Sequence, residues 1–266
     1  MKCRVAFALS LATAVVWVAA SAHAGSPVLE RVVKKGQLRV AMSGEQMPLN
    51  GLDASGNFIG LEPELAEHLA EAMNVELEIV KVPFPELLPA LRRGEVDLVM
   101  SGLTITPRRN IEFAFAGPYF VSGKSILTLS RELAMVADES DLDREGLRLV
   151  ALESSTSAAF VKKKLPKAKL VATPSVKQGI RMVREAKVDA MVADMPTCVY
   201  AVLQDPALAT LVIPLTVEPI GIAAPGNDPL LVNLLDNYLE ALSAAGELEA
   251  LNRKWLRGGA RSGSIR

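Results

Sequence analysis

The chain has 266 residues, with 29 lysines and arginines against 30 aspartates and glutamates, and half of its residues are hydrophobic. That length supports one large domain or two of about 100–150 residues. A slightly acidic balance excludes the basic footprint of a nucleic-acid binder.

Residues 1–24 read as a secretory signal peptide: Lys2 and Arg4 make a basic start, 5–20 an apolar stretch, and Ala22-His23-Ala24 a small-residue cleavage site. Only Lys2 and Arg4 among the charged residues go with it, leaving 27 basic and 30 acidic residues and a net charge of −3. No second long apolar stretch follows, so the expectation is a soluble, exported protein. It keeps one cysteine, Cys198, and one histidine, His68. Together these build neither an internal disulfide nor an ordinary zinc site. EF-hand spacing is absent as well, and no metal or cofactor is expected.

A short helix near 27–34 precedes a first strand at 37–43. The polar segment 44–60 follows, and within it 53–57 (Asp-Ala-Ser-Gly-Asn) reads as a hairpin turn. Leu65, Leu69, Ala72 and Met73 recur at helical spacing, with Pro63 and two glutamates at the start and Asn74 at the end. Alternation at 75–82 predicts a strand, and Leu87, Leu88 and Leu91 a helix over 85–93 that Gly94 stops.

That helix delivers the chain to its central stretch, 96–109. The apolar run at 98–100, closed by Ser101-Gly102, reads as a buried strand emptying into a loop. The loop opens a helix, with Thr106 as N-cap and Pro107 at the first position. Arg108 and Arg109 in that first turn lie against the helix dipole, at a cost of about 0.3–1 kcal/mol. An anion would reverse the cost, and loop amides, the Thr104 hydroxyl and a guanidinium converge as they would on a carboxylate. A solvated basic helix start is the competing reading of this stretch alone.

After an extended segment at 124–129 the pattern begins again. Leu147-Arg148-Leu149-Val150-Ala151 repeats Leu38-Arg39-Val40-Ala41. A helix at 158–164, a strand at 169–172 and a helix capped by Ser175 follow, and 187–192 then echoes 95–100. The offset is 109 residues at the first strands and 92 at the last, so the second copy is 17 residues shorter, largely by lacking the hairpin. Duplicated strand and helix alternation predicts two α/β lobes with mostly parallel sheets flanked by helices. Ligands of such sheets bind beyond the strands' carboxyl ends, so the loop at 101–106 and Ala193-Asp194 face one cleft. Two terminal helices, from Asp228-Pro229 and over 246–255, are expected to return to the first lobe. That requires two hinge crossings, near 120–124 and 216–221. The lobes are therefore 25–121 plus 218–266, and 122–217.

Leu-Pro-Ala-Leu-x-x-Gly-x-Val-Asp-Leu at 88–98, joined to Ser-Gly-Leu-Thr-Ile-Thr-Pro-x-Arg at 101–109, resembles the bacterial extracellular solute-binding proteins of family 3, the polar amino acid receptors of ABC importers. The resemblance covers nearly all of 28–256. It implies a two-lobed periplasmic binding protein fold of type II and an amino acid held between closing lobes. Its partners would be an ABC permease and ATPase at the inner membrane. By position it puts Arg109 on the ligand carboxylate, helped by backbone groups around Gly102 and Thr104 and by Thr156 from the second lobe. Asp194 would take the ammonium, and Phe84 would stack on the side chain.

Each residue has an ordinary alternative: Asp194 and the 154–157 hydroxyls as helix caps, Phe84 as core. The pattern also departs from the family. Gln46-Met47-Pro48-Leu49 stands where relatives carry an aromatic residue followed by Pro-Phe. Glu45 and Glu153 lie near the expected pocket, where they would favour a cationic or amide side chain. Periplasmic cyclohexadienyl dehydratases resemble the same family, which keeps an enzyme open, but Thr197 stands where those place an acid. A domain that signals to a membrane sensor is a third reading.

Overall fold

The computed structural model describes residues 25–257; the expected signal peptide and the tail at 258–266 lie outside the described residues. The first half comprises α1 (Pro27–Lys35), β1 (Gln37–Met42), β2 (Gly51–Leu52), β3 (Phe58–Ile59), α2 (Leu61–Ala72), β4 (Glu76–Lys81), α3 (Leu87–Arg92), β5 (Leu98–Val99) and α4 (Pro107–Asn110). The strand β6 (Phe113–Ser122) leads to β7 (Lys124–Thr128) of a second sheet. There follow β8 (Arg148–Leu152), α5 (Thr156–Lys164), β9 (Lys169–Thr173), α6 (Val176–Arg184), β10 (Ala190–Asp194), α7 (Met195–Gln204) and β11 (Ala209–Thr210). The return strand β12 (Glu218–Pro225) precedes α8 (Pro229–Ala244) and α9 (Glu247–Asn252).

The two sheets share one topology, with order β4-β1-β5-β12-β6 in the first and β9-β8-β10-β7-β11 in the second. In each, three strands run parallel and the fourth, a strand arriving from the other lobe, is antiparallel to them. The sequence repeat has a physical basis in this arrangement. Asp97 precedes β5 and accepts from the Arg39 backbone N–H at 2.8 Å and the Arg39 Nη2 at 2.9 Å. Asp189 precedes β10 and accepts from the same atoms of Arg148, each at 2.7 Å. In both lobes the aspartate of the Val-Asp pair thus locks the third strand to the arginine of the first.

One buried cluster joins Leu38, Val40, Leu65 and Leu98 to Leu235, Leu239 and Leu251, so the terminal helices pack on the first sheet. Asp228, fully buried, caps two helices at once: it accepts from Leu231 N–H at 3.1 Å in α8 and from Val28 N–H at 2.8 Å in α1. The expected helix over 246–255 ends at Asn252 and widens into a π turn at Arg253–Arg257. Trp255 there donates from Nε1 to Glu64 at 2.6 Å. The extended pairing of β6 with β12 was not legible, because Gly117-Pro118 interrupts the alternation of one strand and a register shift at Ile220/Ile222 that of the other.

The chain passes between sheets twice, and the passages lie side by side. Leu215 N–H donates to Lys124 O at 2.8 Å, and Lys124 N–H to Thr216 Oγ1 at 2.9 Å. This close approach leaves no room for a side chain at Gly123, whose Cβ would fall 2.2 Å from Thr216 O.

Candidate functional site

The loop after β5 and the start of α4 form one wall of the cleft. Thr106 caps α4 as its spacing predicts, accepting from Arg109 N–H at 3.2 Å. Capping turns the Arg109 side chain back over the loop, where Nη1 donates to Thr104 O at 2.8 Å. Arg108 is exposed. Burial lowers the Arg109 pKa, opposed by the charges of Asp194 and Glu218, and the guanidinium remains a cation facing the second lobe.

Behind the loop lies a buried carboxyl. Glu62 is fully buried and accepts from Gly102 N–H at 2.7 Å, from Asn50 Nδ2 at 2.5 Å and from the Tyr119 hydroxyl. Burial pushes its pKa up against those three hydrogen bonds. The Gly102 amide, expected on a ligand carboxylate, is thereby committed to Glu62. Gly102 itself lines the cavity, and a Cβ there would meet Gln46 Oε1 at 2.7 Å.

The opposite wall comes from the second lobe. Ser155 caps α5, accepting from Ala158 N–H at 3.1 Å, and so leaves Thr156 uninvolved in capping. The Thr156 hydroxyl lies 3.2 Å from that of Thr104, so the lobes touch here. Phe84 of one lobe and Leu152 and Val176 of the other share a buried cluster across the same junction. Asp194 ends β10, and its side chain makes no capping bond to α7. It accepts instead from Lys124 Nζ at 2.7 Å. Lys124 is 0% exposed, and its second counter-charge is Glu218, at 3.6 Å and at the start of the other hinge passage.

Gln46, Phe84, Gly102, Arg109, Thr156 and Asp194 line one cavity of about 20 Å³. Small-molecule sites span roughly 300–1,000 Å³, so admission of a ligand requires the lobes to separate. Gln46, Phe84, Leu152 and Val176 also border an adjoining space of about 390 Å³ that Glu45 and Lys81 reach. Thr104 is buried between Arg109 and Thr156. Glu153 is not among the residues lining either space, and its N–H pairs with Thr173 O at 2.9 Å.

Sequence reasoning missed Lys124, Glu218 and the Glu62–Tyr119 pair. A lysine directly after a hinge glycine, opening a strand of otherwise uncharged residues, was the available signal for the first. Cys198, buried beneath Asp194, has its pKa pushed up to about 12 by burial, which makes it an unreactive thiol. Among the described residues no helix is long and apolar enough to cross a membrane.

Residues 38–258 match the family model of the bacterial extracellular solute-binding proteins, family 3. Cyclohexadienyl dehydratase from Pseudomonas aeruginosa is 28% identical over 185 residues, 70% of this chain and 69% of that one. A probable histidine-binding protein from Neisseria gonorrhoeae is 29% identical over 223 residues, 82% of each chain. The crystal structure of the ancestral amino acid-binding protein AncCDT-1, a precursor of cyclohexadienyl dehydratase, has a TM-score of 0.80 at 31% identity, over 87% of this chain and all of that one. With its two lobes of matching topology and the match over most of its length, this chain belongs to the bacterial extracellular solute-binding proteins, family 3.

Proposed function

We propose that the protein is the periplasmic substrate-binding component of an amino acid ABC importer, taking a polar amino acid zwitterion between its lobes. One observation carries the reading: Arg109 from the first lobe and Asp194 from the second present opposite charges to one cavity. The guanidinium and the Thr156 hydroxyl would hold the carboxylate, with Thr104 steadying both. Asp194 Oδ1 faces Lys124, which leaves Oδ2 for the ammonium. Each end of the ligand would exchange hydration for charge-assisted hydrogen bonds. Only the closed form brings both groups to one ligand, so binding shifts the population toward closure. The closed form would then dock on a membrane permease with its ATPase. The signal-peptide reading of 1–24 and the extracellular character of the family support the periplasm as its compartment.

The similarity to a dehydratase favours a second reading, catalysis on the same scaffold. General acid catalysis needs a positioned proton donor. Of the carboxylates available, Asp194 is tethered to a buried ammonium and Glu45 borders the adjoining space rather than the Arg109 cavity, where Thr197 supplies a hydroxyl rather than a carboxyl. The geometry therefore favours binding without chemistry. Calorimetry on Arg109→Ala tests the proposal: loss of amino acid binding with the fold intact is expected, and unchanged affinity would refute it. Incubation with prephenate or arogenate, followed by a search for product, tests the second reading.

A further inference from the structure

We infer that the wider half of the cleft is a subsite for a side chain ending in a carboxamide or ureido group, rather than in a fixed cation or anion. The inference rests on the amino acid reading above. The space of about 390 Å³ adjoins the Arg109 and Asp194 cavity through Phe84, Gln46, Leu152 and Val176, so a ligand held by its α-groups would direct its side chain into it. Phe84 and Leu152 wall the passage and suit a run of methylenes. Two charged groups border this space, Glu45 from the loop after β1 and the exposed Lys81 from the end of β4. These strand ends are neighbours, since Met42 and Lys81 pair in register.

Among the described residues neither Glu45 nor Lys81 lies within 4 Å of an oppositely charged group. Of the hydroxyls beside them, Ser43 donates to Asn50 Oδ1 at 3.2 Å, while Ser175 accepts from Gln178 N–H at 3.2 Å and keeps its own proton to donate. The charged groups a ligand terminus meets there are an acceptor-only carboxylate and a donor-only ammonium. A guanidinium or ammonium terminus would satisfy Glu45 and be opposed by Lys81; a carboxylate would do the reverse. A carboxamide or ureido group gives its N–H to Glu45 and its carbonyl to Lys81, and carries no net charge into a subsite whose own charges sum to zero.

The test is calorimetry on the purified protein with glutamine, citrulline, arginine, lysine, glutamate and norvaline, the last reporting the α-group interactions alone. Glutamine or citrulline is expected to bind at least about tenfold tighter than every other member. In Lys81→Met the preference for citrulline over arginine should fall at least about tenfold, and in Glu45→Gln the preference for glutamine over glutamate should fall similarly. These are ratios within one protein, so a general loss of folding or closure does not move them. Arginine, lysine or glutamate as the tightest ligand, or ratios untouched by both substitutions, would overturn the inference while leaving amino acid binding standing. Absence of binding by every member, norvaline included, would overturn both.

Discussion

Lys124→Met removes a buried ammonium and keeps an unbranched side chain of similar bulk, so it isolates charge from packing. In the native protein Lys124 is 0% exposed, with Asp194 at 2.7 Å and Glu218 at 3.6 Å. Breaking a buried ion pair from one side costs roughly 3–5 kcal/mol, because the remaining charge is left uncompensated. Both carboxylates keep some exposure to solvent, their side chains being 15% and 13% exposed. Partial hydration of the leftover charges reduces the expected cost to about 2–4 kcal/mol. For a chain of this size that is a fall of about 5–15 °C in Tm. Thermal and urea unfolding measure it. The double variant Lys124→Met with Glu218→Gln should recover about 1 kcal/mol or more of the loss, since it removes one of two like charges gathered around the same point. A single variant within about 0.5 kcal/mol of the native protein, or a double variant no better than the single one, would refute the reasoning.

Two further predictions concern carboxylates away from the ligand. Burial raises the Glu62 pKa, so the native state binds that proton more tightly than the unfolded chain does. Its contribution to stability is complete below the unfolded value, about 4.3, and is lost as pH rises through the folded value. Glu62→Gln should remove this slope, and the difference in unfolding free energy between variant and native protein should move in the variant's favour from about pH 4.5 upward; a difference constant with pH would contradict the prediction. Asp97 and Asp189 make the same arginine pairing in the two lobes, but Asp97 also pairs with Arg31 and lies deeper, the side chains being 1% and 31% exposed. Asp97→Asn should cost about 2–4 kcal/mol and Asp189→Asn about 1 kcal/mol or less in urea unfolding, and equal losses would show that depth and the second arginine do not set the difference.

Much of the architecture was legible because it is written twice. The Leu-Arg strand and the Val-Asp strand recur, at offsets of 109 and 92 residues, and the pairs Arg39–Asp97 and Arg148–Asp189 give the physical reason for that recurrence. The caps at Thr106 and Ser175 were legible because capping is local. What escaped notice depends on interactions between distant segments. Lys124 meets Asp194 and Glu218 only after two hinge passages have been brought together. Glu62 looks like an ordinary acidic residue of a helix's first turn until Asn50, Gly102 and Tyr119 close around it. Arg109 illustrates both cases: its odd place in the first turn of α4 marked it from sequence, while its hydrogen bond to Thr104 O depends on the loop geometry. The commitment of the Gly102 amide to Glu62 escaped notice for the same reason, since chain position does not reveal which carboxyl folds in behind the loop.

The central claim is that the cleft recognises both charges of a zwitterion, one from each lobe. Calorimetric titration of the native protein with its tightest amino acid, with the same acid lacking the amino group and with its carboxamide derivative tests this directly. Removing the ligand's half of one charge-assisted pair should cost about 2–3 kcal/mol, so both analogues should bind roughly 30- to 150-fold more weakly. Either analogue binding within a factor of about three of the parent amino acid would contradict the account.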